Sequence, residues 1–208
     1  MQKNRLMKIL WALVFLVVLA WSAIRPADRL TWWLEVLPAL IAALLLLWLG
    51  WRRVALTPLL YWLILAHCVV LMVGGHYTYA EVPLFDWLAG PMGWQRNNYD
   101  KLGHFMQGFV PVMIAREIML RRQIVNGRGW LALLAASVTL AISALYELIE
   151  WQVALVSEQA AEAFLGMQGY VWDTQSDMAW ALAGALAGLV LLGRWHDRQL
   201  ARLHSNAR

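Results

Sequence analysis

Charge is scarce in this chain. Asp, Glu, Lys and Arg make up 14% of its 208 residues against 62% hydrophobic ones, a balance that excludes an ordinary soluble domain. Cysteine is scarcer still: Cys68 stands alone inside an apolar run, which rules out an intramolecular disulfide and marks a buried structural thiol. The chain lacks a serine-nucleophile motif, a Walker loop and a haem-attachment sequence, so the chemistries that those motifs announce have no support. It also lacks an internal repeat, a low-complexity tract and a linker, and a single helical domain spanning 1–208 is the simplest account. The net charge of +4 sits in short clusters between apolar runs rather than along one stripe, so it does not indicate a nucleic-acid partner.

What is abundant is apolar sequence and tryptophan, with fourteen of the latter. Stretches of about 20 apolar residues, the length that crosses the hydrocarbon core, occur at 8–24, 31–51, 59–79, 102–120, 130–150 and 177–193. They predict an all-α polytopic membrane bundle of about six helices. The first stretch imitates a signal peptide, with Lys3, Arg5 and Lys8 ahead of it, but its length and the bulky Trp21 at the imitated cleavage site favour a retained helix. With both termini cytoplasmic, thirteen of the seventeen basic residues fall inside, leaving only Arg25, Arg29, Arg96 and Lys101 outside.

Two long connections, 80–100 and 151–176, then lie on the outer side. Connections of this length tend to be functional or to contain short interfacial helices. Phe85, Trp87, Leu88, Trp94, Trp151, Phe164 and Trp172 suit an interface, while Gly90-Pro91 and Gly166 break helix. These loops are expected to roof a site.

Seven ionisable residues define that site: His76, Asp100, His104, Glu147, Glu150, Asp173 and Asp177. The topology brings all of them to the periplasmic ends of their helices. Burying such groups near hydrocarbon costs several kcal/mol each unless they are paired, protonated or metal-bound. Asp100 to His104 and Asp173 to Asp177 are spaced i,i+4, and Glu147 to Glu150 i,i+3, each pair sharing a helical face. Five converging carboxylates repel one another, and Lys101 with Arg96 offsets only part of that charge. Carboxylates and imidazoles projecting from adjacent helices are how metal sites are built in bundles, and this oxygen-rich set suits zinc, manganese or iron, with magnesium if water completes its shell.

Plainer readings stand beside this one. Asp100 and Asp173 precede helices and suit N-caps. His76 suits an interfacial histidine and His67 a hydrogen-bonded core residue, while Glu35, near the outer end of its helix, is placed to join the seven but as a lone interfacial glutamate better suits a solvated acid. Glu147 and Glu150 lie at the negative end of their helix and gain nothing from its dipole, which makes them the strongest site residues. Gly184-x-x-x-Gly188 permits close helix approach, within the chain in preference to a dimer seam, and Pro111 removes a backbone bond from its helix.

The strings GGHYTYAEVP, NNYDKLGHFMQGFVP, ALYELIEW and WDTQSDM resemble the YjdF family of bacterial inner-membrane proteins. That resemblance implies a multi-pass inner-membrane location and assigns no activity. More distantly, Asp100-Lys101 with His104 and Phe105, then Glu147, then Asp177 before a small-residue helix, is similar to the VanZ-like proteins, which are linked to glycopeptide-antibiotic resistance. Those carry Glu-x-x-Gln where this chain has Glu147-x-x-Glu150. The leading expectation is a metal-dependent enzyme acting on a lipid or envelope substrate. In it a metal activates water, Glu147 or Glu150 is the general base, and His104 or His76 is ligand or acid. The alternatives are a small proton-coupled transporter, or an envelope or assembly protein whose polar cluster is structural.

Overall fold

The computed structural model describes residues 2–156 and 168–205, and these are helical with no strand among them. In chain order the helices are α1 (Gln2–Ser22), α2 (Arg29–Trp51), α3 (Pro58–His76), α4 (Pro83–Met92), α5 (Tyr99–Arg121), α6 (Arg128–Val156) and α7 (Asp173–Ser205). Five of them, α1, α2, α3, α6 and α7, are long and apolar enough to cross a membrane. At 23 residues α5 is as long as α2, but its acids and bases keep it out of that set.

Local chemistry sets several helix ends. Asp28 caps α2 by accepting a hydrogen bond from the Thr31 N–H at 2.7 Å, satisfying one of the donors that a helix start leaves open. Proline opens both α3 and α4, where its missing N–H costs nothing. Gly93, at φ 66°, closes α4 in the left-handed conformation that glycine adopts without penalty. The expected boundaries shift accordingly. The third apolar stretch stops being helical at His76, the connection after it contains the short helix α4, α6 continues through Trp151 to Val156, and α7 outruns its apolar stretch at both ends. Phe164 and Gly166 lie outside the described residues.

Val36 and Ala39 of α2, Leu60 and Met72 of α3, and Val112 and Met113 of α5 form the centre of the apolar core. Leu44, Leu47, Val190 and Leu191 face outward, where a bilayer covers them. The tightest seam joins α5 to α7. A Cβ on Gly108 would collide with the backbone of Ala181, and one on Gly184 with the backbone of Phe105, so the two helices meet main chain to main chain. Gly188 continues the seam against Phe109. The Gly184-x-x-x-Gly188 pattern therefore serves packing within the chain.

Polar contacts tie the helix ends together in two tiers. At one end, the Ala27 N–H donates to the His76 carbonyl, and α5, α6 and α7 bring their acids together. At the other, Thr57 reaches Glu117, the Leu59 N–H donates to Gln199, and Arg116 pairs with Asp197.

Candidate functional site

The first two turns of α5 carry Asp100, Lys101 and His104, α6 brings Glu147 and Glu150, and α7 opens with Asp173 and Asp177. All seven side chains are buried. The i,i+4 spacing acts as read from the sequence within α5, where Asp100 Oδ1 lies 3.3 Å from His104 Nε2. Asp100 is inside the first turn rather than at the cap, which is Asn98.

His104 is the hub. Its Nε2 faces Asp100 Oδ1 at 3.3 Å and Asp177 Oδ2 at 3.9 Å, while its Nδ1 lies 3.2 Å from Gln107 Oε1 and 3.7 Å from Glu147 Oε1. One ring edge thus meets two carboxylates, and the other meets an amide oxygen and a third carboxylate. One ligand atom from each of Asp100, His104 and Asp177 falls within 4.8 Å of the other two. Bonds of about 2.0–2.2 Å would hold two tetrahedral donors roughly 3.4 Å apart, so the triad would have to contract to hold an ion. Glu147 Oε1 is buried without a hydrogen-bond partner.

Lys101 and Arg96 stand on the other side of the acids. The Lys101 ammonium bonds Asp173 Oδ1 at 2.7 Å and Asp177 Oδ1 at 2.5 Å, and lies 3.4 Å from Asp100 Oδ2. Arg96 pairs with Asp173 at 2.8 Å and approaches Asp100 at 3.6 Å. Asp173 is therefore committed to two cations. Asp177 divides its oxygens, one on Lys101 and one toward His104.

Glu150 lines a neighbouring chamber of ≈ 210 Å³ together with Glu35, Tyr79, Asp100, His104 and Tyr146. Glu35 departs from the solvated acid expected of it: it is buried, and Tyr146 Oη donates to its Oε2 at 3.1 Å. The Tyr79 ring slots between Gly74 of α3 and Gly103 of α5, where any side chain would displace it. Thr78 and Tyr79 both have positive φ, 53° and 57°, a strained backbone held by that fit. Sequence reasoning missed Tyr79 and Tyr146 as members of this assembly, and weighed Glu35 as a member but preferred a solvated acid. The one signal for them was their position near the same helix ends.

His76 is not brought into the group. Its Nδ1 lies 2.9 Å from the Ser22 carbonyl, and its ring packs at a tilt of 34° against Trp21 with centroids 4.5 Å apart. The end of α1 takes the imidazole that the sequence reading had assigned to the acids. His67 has no hydrogen-bond partner among the described residues, contrary to the core role read for it, and lines the chamber wall instead.

Asn97 fastens the cover over the α5 entrance. Its Nδ2 donates to Val82 O and Asp86 Oδ1 of the α4 region, and its backbone exchanges hydrogen bonds with the Gln168 amide. Beside Lys101 opens a vestibule of ≈ 640 Å³ lined by Phe85, Trp94, Phe105, Tyr170 and Trp180.

The family described as predicted membrane protein (DUF2238) matches residues 7–198. A curated relative, inner membrane protein YjdF of Escherichia coli (strain K12), is 53% identical over 191 residues, covering 92% of this chain and 91% of the relative. No solved structure matches. The likeness to VanZ-like proteins is not among these findings.

Proposed function

The chain belongs to the DUF2238 family of predicted membrane proteins, and from that premise we propose that it is a multi-pass inner-membrane protein with a divalent-cation site at Asp100, His104 and Asp177. The observation that carries this reading is the convergence of two carboxylates on His104 Nε2, with Glu147 behind the same ring at Nδ1. A ligating histidine ordinarily donates its other N–H to a carboxylate or carbonyl, which fixes the tautomer and the ring orientation. Gln107 Oε1, 3.2 Å from Nδ1, supplies that partner here, and the Glu147 carboxylate stands 3.7 Å from the same nitrogen as a nearby charge. In this assignment Glu147 positions His104 rather than ligating, and Asp173 serves as the anchor for Lys101 and Arg96.

Charge supports the same conclusion. Asp100, Asp173, Asp177, Glu147, Glu150 and Glu35 gather around two fixed cations, Lys101 and Arg96, and one imidazole. That excess of buried acid is offset by a zinc, manganese, iron or magnesium ion. Three protein ligands leave a coordination position for water or substrate, the pattern of catalytic rather than structural sites.

The aromatic vestibule and the acidic chamber flank the triad, which suits a metal-assisted reaction on the headgroup of a lipid or envelope substrate at the membrane surface. Glu150, in the chamber wall, is placed to take a proton. Six spans, with α5 as the polar one enclosed by its neighbours and both termini cytoplasmic, put this site on the periplasmic side.

One observation favours a rival. The Lys101 ammonium already bridges three carboxylates, as a self-contained structural network would require. Elemental analysis of the purified chain decides between them. On the metal reading, wild type carries about one divalent ion, Asp177→Asn carries none, and Glu147→Gln binds roughly 10–100-fold more weakly. A wild type that is metal-free and gains no thermal stability from any of the four ions overturns the proposal in favour of the network.

A further inference from the structure

A third cavity, which shares part of its wall with the acidic chamber, is unlike it in character. A cleft of ≈ 670 Å³ runs between α2, α3 and α5, with walls of Leu45 and Leu49, Leu60 and Ile64, and Val110 and Ile114. Its size is within the range of about 300–1,000 Å³ found for ligand sites. Arg121 and Arg122 line one end. The other end reaches Pro38, His67 and Leu71, which are also in the wall of the chamber beneath Glu35 and Glu150.

We propose that this cleft seats one anionic glycerophospholipid, its phosphate at Arg121 and Arg122 and one acyl chain lying along α5 toward His67. The charge at the mouth carries the assignment. Glu117 is the acid in the lining, and its carboxylate is taken: Thr57 Oγ1 donates to Oε2 at 2.7 Å, His196 Nε2 lies 2.9 Å from the same oxygen, and Arg121 Nη1 reaches Oε1 at 3.0 Å. Arg122 is exposed, and so are Arg52 and Arg53 on the turn that leads to Val54 and Leu56 of the cleft wall. The mouth is therefore positive on balance, and guanidinium is the side chain best matched to phosphate.

The length is also right for a chain. From Arg121 back to Val110 is eleven residues of helix, about 16 Å at 1.5 Å per residue, or half of a hydrocarbon core about 30 Å thick. Past Glu117 at the mouth, the lining groups are aliphatic until His67 and Cys68. An acyl chain fits such a wall, whereas a column of water would have too few polar partners.

The test uses the full chain, delipidated in maltoside micelles with a chelator present throughout, so that its outcome is separate from the metal reading. Binding is followed by native mass spectrometry and thermal unfolding with three probes: phosphatidylglycerol, phosphatidylcholine with the same chains, and inorganic phosphate. Wild type should prefer phosphatidylglycerol by roughly fivefold or more, the effect of one arginine beside an anionic headgroup. Arg122→Gln, a change at an exposed side chain, should remove that preference, and Ala42→Trp, which fills the cleft, should abolish binding of both lipids. If Ala42→Trp does not fold, Ala42→Leu takes its place, with weaker binding of both lipids expected. Equal binding of the two lipids by wild type overturns the proposal, as does a preference that survives both substitutions. Stabilisation by inorganic phosphate alone, matching that of the lipid, replaces the lipid seat with a simple anion site.

Discussion

The Nζ of Lys101 lies 2.5 Å from Oδ1 of Asp177 and 2.7 Å from Oδ1 of Asp173, so one ammonium on α5 holds both acids of the first two turns of α7. Removing one member of a buried ion pair leaves the other charge uncompensated. Lys101→Met should therefore destabilise the protein by about 3–5 kcal/mol, measured as thermal or denaturant unfolding in micelles. Adding Asp173→Asn and Asp177→Asn should recover much of the loss, and a triple variant as unstable as the single one would sever this link.

The main-chain seam between α5 and α7 makes its own demand. Gly184→Val meets the backbone of Phe105, which cannot rotate away, so the loss should be at least the about 1–3 kcal/mol of an overpacked core. Gly193, on the same helix with nothing near it, supplies the control. Gly193→Ala should be neutral or stabilising by up to about 1 kcal/mol.

At the far end, His196 joins Glu117 to Arg116, with Nδ1 2.8 Å from the guanidinium and Nε2 2.9 Å from the carboxylate. His196→Leu leaves two buried groups short of a partner and should cost about 1–3 kcal/mol. Its uptake of divalent metal should match that of wild type, because the network lies at the opposite end of α5 from His104. A stable variant would show that water replaces the imidazole.

Asp28 predicts a small pH effect of known sign. The Thr31 N–H bonded to its carboxylate at 2.7 Å holds the carboxyl below its usual range. A group lowered on folding stabilises the fold above its unfolded pKa of about 3.9, and that contribution is lost as pH falls through the folded value. Asp28→Ala should cost about 0.5–2 kcal/mol near neutrality, toward the low end because solvent reaches the cap. The gap between wild type and variant should narrow below about pH 4; one that widens there would contradict the assignment.

Orientation is open to reporter fusions. A fusion at Gly90, in α4 beside the acids, should read as periplasmic and one at Asn126, between α5 and α6, as cytoplasmic. A periplasmic signal at Asn126 would invert the bundle and move the acidic site to the cytoplasm.

Helix ends and spacing were what the sequence could express. The i,i+4 step from Asp100 to His104 is a property of one helix, so it survives into the structure as a 3.3 Å contact. The convergence of Asp177 and Glu147 on that histidine followed from the alternating direction of apolar stretches. Partner choice was harder to see, since it depends on lateral order within the bundle. Nothing local distinguishes His76, held by Ser22 and Trp21, from His104, and nothing local turns Glu35 inward to Tyr146. Lys101 was legible as a partial counter-charge but not as the bridge between Asp173 and Asp177, because 72 residues separate it from the nearer acid. Hydropathy overstated α5 as an ordinary apolar span, and its acids and bases are explained only by the neighbours that enclose them.

The close fit of α5 against α7 also bears on how the protein is made. On the six-span reading α5 leaves the ribosome well before α7, yet Lys101 and Arg116 find their carboxylates on α7. Both lie toward the ends of α5, so each costs an unpaired helix less than the about 2.5–3.5 kcal/mol of a charge at mid-bilayer on insertion scales, yet neither has its α7 partner until that helix is made. Its ion pairs are complete only once synthesis has passed residue 197, so α5 reaches its final packing after the last helix has been made.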